Sequence, residues 1–243
     1  MKEFDVSSSN QYFSDKDGGL FNKDQTELIR YPVCKTTREY TVPHTVSYIH
    51  ANAFDHNKNL QVLTIPKSVQ QIENYLTEGC DNLQRIVFQG DVPSCSFPHY
   101  AFSWDGNLIY YPANNKTWTK AVIDEFENDG DGNTMVPYDP NLPSPPITAG
   151  NNYTTGKIKL SRKAVKDAKA YYIYRSDSKY GEYTLIASTS STTYTDTSNN
   201  LSAGGKTKAG KRYYYKVDSI TEDGVHSLPG DPAARTCNLP RQR

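Results

Sequence analysis

Apolar residues recur at a fixed interval through residues 42–88. Pro43, Val46, Ile49, Asn59, Leu60 and Leu63 return 23 positions later as Pro66, Val69, Ile72, Asn82, Leu83 and Ile86, while the residues between them vary. A period of that length predicts a solenoid, in which each unit buries its apolar side against its neighbours. Within a unit, Leu60, Leu63 and Ile65, and then Leu83, Ile86 and Phe88, end on the alternation of a short strand. Pro43 and Pro66 follow such strands; proline lacks the N–H a sheet needs, so the strand stops and the chain turns. Val46 and Ile49, like Val69 and Ile72, then return to the core. The turn of the second unit is expected to be altered, because Leu76-Thr77 stands where the first unit has Ala53-Phe54.

Two units alone leave both ends of such a core exposed, so caps or partial repeats are expected on either side. Upstream, Phe4-Asp5-Val6 reads as the end of a preceding strand and residues 17–32 as a hairpin. Leu20 and Phe21 lead in, residues 22–26 turn, and Leu28 and Ile29 lead out. Downstream, residues 106–112 read as a further strand. Residues 114–126 read as a short helix with Trp118, Val122 and Phe126 on one face, placed to close the last coil.

From Ile147 onward the pattern changes to strand-like runs at sandwich spacing: residues 156–160, 170–175, 183–186, 193–195, 212–217 and 235–237. Turn residues such as Ser178-Lys179-Tyr180-Gly181 and Glu222-Asp223-Gly224 separate them. In residues 170–175 a period of two sends Tyr172 and Tyr174 to the face opposite Tyr171 and Ile173. Aromatic residues on a wet face serve half-buried sheet packing first, and protein or glycan contact second.

Composition supports this division. Nineteen tyrosines against two methionines lean toward β structure, and 243 residues suit two ordinary domains. Charge cancels over the whole chain but not locally. Residues 1–127 carry 11 Lys+Arg against 16 Asp+Glu, a net of −5; residues 128–146 carry none against 3; residues 147–243 carry 16 against 8, a net of +8. The basic residues of the last part alternate with Tyr and Thr as on the wet face of an antiparallel sheet, so nucleic acid is not an expected partner. Residues 128–143, acidic and glycine-containing and then proline-rich, read as a linker between a domain at 1–127 and another at 144–243.

Little in the sequence points to chemistry. No nucleophile-elbow, phosphate-loop, HExxH or paired-carboxylate signature is present, so no catalytic residue, cofactor or metal is assigned and binding residues stay unassigned. Asp129, Asp131 and Asn133 alternate as calcium-loop oxygens do, yet Thr134 occupies the position an EF-hand gives to glycine and Pro140 that of the final Glu. Cys34, Cys80, Cys95 and Cys237 show no CxxC pairing; Cys95 and His99 are four apart, but Phe97-Pro98 breaks the helix that would align them. Cys80 falls where Asn57 falls one period earlier, as a small packed residue in the turn before Leu83. His44, His50, His56, His99 and His226 lie off the repeated apolar positions and read as exposed turn residues. No apolar run of about 18 residues spans a membrane. Met1-Lys2-Glu3-Phe4 enters folded-looking sequence directly, so a secretion signal is expected to lie upstream.

The pattern I/V-P-x-x-V-x-x-I, followed by Ala53-Phe54, Asn57 or Cys80, Leu60 or Leu83 and the strand, resembles the leucine-rich repeats of the BspA type, found on surface proteins of host-associated bacteria and some parasites. The hairpin ending in Tyr31-Pro32 and residues 109–119 look like the same family. The resemblance implies a curved solenoid outside the cell, associated with adhesion to host proteins or other cells, and carries over no individual binding residue. Residues 144–240 resemble a bacterial fibronectin type III module, with Tyr213 at its tyrosine corner. Arg162 stands where that family usually places a core Trp; either the core is filled differently, as by a neighbouring Tyr, or Arg162 faces out.

The expectation is therefore a mainly β chain, a short leucine-rich-repeat solenoid with a small cap helix joined to an immunoglobulin-like sandwich. Its expected role is that of a non-catalytic bacterial surface or secreted adhesion protein fragment, binding a host matrix or cell-surface protein or a glycan, with the type III module as spacer. The alternatives are an accessory region of a larger secreted enzyme acting on polysaccharide, and a purely structural stalk.

Overall fold

The computed structural model describes residues 1–95, 102, 106–127, 132–151, 157–198 and 204–237. The chain divides into two compact units, Met1–Pro137 and Tyr138–Arg243.

The first unit is a mainly β solenoid. Its strands are β1 (Phe13–Lys16), β2 (Gly19–Asn22), β3 (Glu27–Arg30), β4 (Glu39–Thr41), β5 (Tyr48–Ile49), β6 (Val62–Ile65), β7 (Gln71–Ile72), β8 (Arg85–Phe88) and β9 (Leu108–Pro112), followed by helix α1 (Lys120–Glu127) and strand β10 (Thr134–Tyr138). One sheet runs β1-β2-β3-β5-β7 and the other β10-β9-β8-β6-β4. The 23-residue interval is the register of the second: Tyr40, Leu63, Ile86 and Ile109 are partners in successive parallel strands. All four are buried, as are Leu28, Ile49 and Ile72 facing them from the first sheet. Burial of each such side chain is worth about 1.5–3 kcal/mol. Backbone bonds tie coil to coil at a matching step, from Val62 N to Arg38 O, Arg85 N to Gln61 O and Leu108 N to Gln84 O.

Aromatic clusters plug both ends. Tyr31, Tyr40 and Phe54 meet at 4.3–5.8 Å between ring centres at the first. At the other, Phe88, Phe102, Trp118 and Phe126 meet at 5.0–5.9 Å. The expected cap helix is thus present, but it begins at Lys120, with the Thr119 hydroxyl accepting from Val122 N at 3.4 Å. Trp118 reaches the core from the turn before it and donates its indole N–H to Gly90 O at 3.0 Å. Upstream, the chain adds a hairpin that the sequence reading passed over. Asp17 and Gly18, both at positive φ, turn β1 into β2, as an Asp-Gly hairpin turn requires. Phe4 and Val6 form no strand; their amides bond to Gly18 O and to the Asp15 carboxylate beside that turn.

The second unit is an antiparallel two-sheet sandwich of the immunoglobulin-like kind. Its strands are β11 (Ile147–Asn151), β12 (Ile158–Arg162), β13 (Ala170–Ser176), β14 (Thr184–Thr189), β15 (Thr193–Thr195), β16 (Arg212–Ile220) and β17 (Ala233–Thr236). The sheets run β11-β12-β15 and β14-β13-β16-β17. Ile158, Leu160, Tyr171, Ile173, Tyr213, Tyr215 and Val217 form the core between them. The Tyr213 hydroxyl accepts from Lys208 N at 3.0 Å, which is the tyrosine-corner bond. Arg162 is buried, its guanidinium 4.1 Å from the centre of the Tyr171 ring. Of the two outcomes open from sequence, the core is filled differently, by an Arg–Tyr stack. In the stretch expected as a linker, residues 134–138 form β10; residues 128–131 lie outside the described ones.

Candidate binding surfaces

Turn geometry sets what the solenoid displays. Asn52 and Tyr75, and likewise His56 and Gly79, are period-related pairs at positive φ, between 57° and 67°. The backbone turn is therefore the same in both coils despite the exchange of Ala53-Phe54 for Leu76-Thr77, and all four of those side chains are buried. Asn57 and Cys80 do equivalent work. Asn57 Nδ2 donates to Pro32 O at 2.8 Å and Cys80 Sγ to Phe54 O at 3.0 Å. Burial pushes the Cys80 thiol up to about 12.

On the outer side of the first sheet, Glu27, Tyr48, Gln71 and Ser94 occupy one row in register. Beside it, His50 Nε2 lies 2.9 Å from Glu27 Oε2 and its Nδ1 4.0 Å from Glu73 Oε2. The Tyr48 hydroxyl donates to Glu73, and Ala51 N donates to Glu73 Oε2 at 2.8 Å. These two bonds hold the Glu73 carboxyl below its ordinary range, and the same contact with Glu73 pushes the Tyr48 hydroxyl up to about 12. His50, Glu27 and Glu73 remain about two-fifths exposed. Glu27, Tyr48, His50 and Glu73 thus form a hydrogen-bonding surface drawn from three consecutive coils.

The other expected chemistry falls as follows. Among the described residues no group of three or more His, Cys, Asp and Glu could hold a metal ion, and the four cysteines are free. Asp129, Asp131 and His99 lie outside the described residues. The Asn133 side-chain oxygen is occupied by Asn107 N at 3.0 Å. His44 and His56 are exposed, as expected of turn residues. His226 departs from that expectation. Its side chain is only 15% exposed, and its Nδ1 lies 2.8 Å from Asp218, which is wholly buried. Burial raises the Asp218 pKa, opposed by its bonds to His226 and Tyr174.

A second buried pair, Arg175 with Asp196 at 2.9 Å, also takes the Tyr215 hydroxyl at 2.7 Å and the Gly205 carbonyl. Sequence reading missed it, although Arg175 continues the inward parity of Tyr171 and Ile173.

The parallel register, the two-sheet coils and the aromatic plugs define the first unit as a leucine-rich-repeat solenoid. Residues 31–125 match the family described as the BspA type leucine rich repeat region, in six copies, and this part of the chain is a BspA-type repeat region. Among curated proteins, an amylopullulanase from Thermoanaerobacter thermohydrosulfuricus is 33% identical over 153 residues, which is 58% of this chain. The chain spans about a tenth of that relative's length. Among solved structures, a leucine-rich repeat protein from Eubacterium ventriosum is 22% identical, with 57% of this chain and 43% of that one covered and a TM-score of 0.35. An Fn3-like protein from Clostridium thermocellum is 28% identical, with 42% of this chain and 97% of that one covered and a TM-score of 0.34. Among the described residues, no helix is long and apolar enough to cross a membrane.

Proposed function

We propose that this chain is part of a non-catalytic bacterial surface or secreted protein, whose solenoid presents a protein-binding surface while the fibronectin type III-like unit spaces it. The observation that carries the reading is the outer row from Glu27 to Ser94. The inward positions are fixed by the period, whereas the outward ones vary from coil to coil and stand in register, as a tunable contact surface would. The test is a surface-plasmon-resonance screen of the whole chain against extracellular-matrix proteins and host-cell surfaces. Capture of a matrix or cell-surface protein, weakened at least tenfold in Tyr48→Ala or Glu73→Ala, supports it. Binding that these variants leave unchanged, or no binding at all, counts against it.

A second reading, an accessory region of a larger secreted enzyme acting on polysaccharide, is favoured by the similarity to the amylopullulanase. The full gene product separates the two. A catalytic domain in it with polysaccharide-hydrolysing activity would replace adhesion as a complete account.

A further inference from the structure

Beyond any spacing role, one face of the second unit's four-stranded sheet carries a distinct chemistry. The alternation that buries Tyr171, Ile173, Tyr213, Tyr215 and Val217 turns Tyr172, Tyr174, Tyr214 and Lys216 outward as half-buried residues, and leaves Arg212 exposed. Tyr174 and Lys216 are register partners on the central pair of strands. Cations lie over rings on this side: Lys216 Nζ is 4.6 Å from the centre of Tyr183, and the Arg212 guanidinium is 5.8 Å from that of Tyr214.

The one acid at an outward position of β13 or β16 is Asp218. It is wholly buried, engaged by His226 Nδ1 and by the Tyr174 hydroxyl at 3.3 Å. The two central strands therefore offer hydroxylated rings and cations with no exposed carboxylate, in a part of the chain with a net charge of +8.

We propose that this face binds an anionic polysaccharide. The tyrosine rings supply amphipathic platforms for the C–H faces of sugar rings, and Arg212 and Lys216, about 13 Å apart along one strand, take carboxylates or sulfates carried at intervals along the polymer. Nucleic acid is a poorer fit, since its binding is dominated by many cation–phosphate contacts along the backbone. Two cations ordered on rings give far fewer.

The experiment is affinity electrophoresis of the whole chain in gels holding polygalacturonate, pullulan or double-stranded DNA, over a range of salt. The expected result is retardation by polygalacturonate that weakens with salt. Retardation should fall at least tenfold in an Arg212→Gln/Lys216→Gln double variant of unchanged melting temperature, and stay as in the parent in Lys159→Gln, a cation exposed on the other sheet. Four results overturn the proposal: no retardation by polygalacturonate; equal retardation by pullulan; retardation by DNA as strong as by polygalacturonate; or an equal loss in Lys159→Gln, which would report net charge rather than this face. None of these outcomes depends on whether the solenoid binds a protein.

Discussion

Left-handed backbone at two positions of the coil turn makes single residues unequal. Gly79 occupies its site at no steric cost, and a Cβ there would lie 3.1 Å from the His56 ring of the coil before. Tyr75 holds a comparable φ of 59° with a bulky, 45% exposed side chain. A side chain in that region costs about 1–2 kcal/mol. Gly79→Ala is therefore expected to destabilise the solenoid by about that amount, and Tyr75→Gly to stabilise it by about 1 kcal/mol, both read from urea unfolding midpoints.

In the sandwich the two buried arginines should behave oppositely. Arg175→Met strands the Asp196 carboxylate in the core and is expected to cost about 3–5 kcal/mol. Among the described residues Arg162 has no acidic partner and its Nε and Nη1 lack a hydrogen bond, while its Nη2 donates to Ser191 O. Desolvation already lowers its pKa. Arg162→Met is thus expected to be neutral or to raise the melting temperature. Arg162 was legible as an anomaly in the sequence, but its direction was not, because strand parity at β12 leaves open whether a long side chain folds back over a neighbouring ring.

Among elements, the strands whose residues carry the period were readable directly, β6 and β8 from Leu63 and Ile86, whereas Ile49 and Ile72 were readable as core positions but not as the two-residue strands β5 and β7. Also readable were β13, β15 and β16, whose alternation is clean. β1, β10 and β11 were not, for a physical reason. Phe13–Lys16, Thr134–Tyr138 and Ile147–Asn151 are polar, proline-containing or Ala-Gly-containing runs that become strands by pairing with neighbours, as β1 does with β2 and β11 with β12, rather than by their own pattern.

The Tyr48–Glu73 bond, which joins two coils, gives the solenoid a pH signature. A carboxyl depressed in the folded state contributes stability above its ordinary value of 4.5, and that contribution is lost as pH falls through the folded value. The melting temperature of the solenoid is accordingly expected to fall as pH drops below about 4.5, with a shallower dependence in Glu73→Gln. An unchanged dependence in that variant would remove Glu73 as its source.

For the whole molecule, balance conceals asymmetry. The formal net charge is zero with a pI near 6.9, yet residues 1–127 sum to −5 and residues 147–243 to +8. Chains with opposite local fields and no net repulsion associate near their pI, and salt screens the attraction within about 10 Å at 0.1 M. Light scattering at pH 7 and low ionic strength is expected to report association that 0.3 M salt reverses, and a shift to pH 9 should do the same. Monodispersity under all three conditions would show that the two charge sets do not meet.

The coil-to-coil register also makes length a quantity counted in whole steps. Each added block equivalent to residues 66–88 would extend the stack by one strand spacing, about 4.8 Å, and leave the aromatic plugs at either end as they are. Such a protein can lengthen its reach by copying a short stretch of gene, in the way a ruler gains graduations, without its ends being rebuilt.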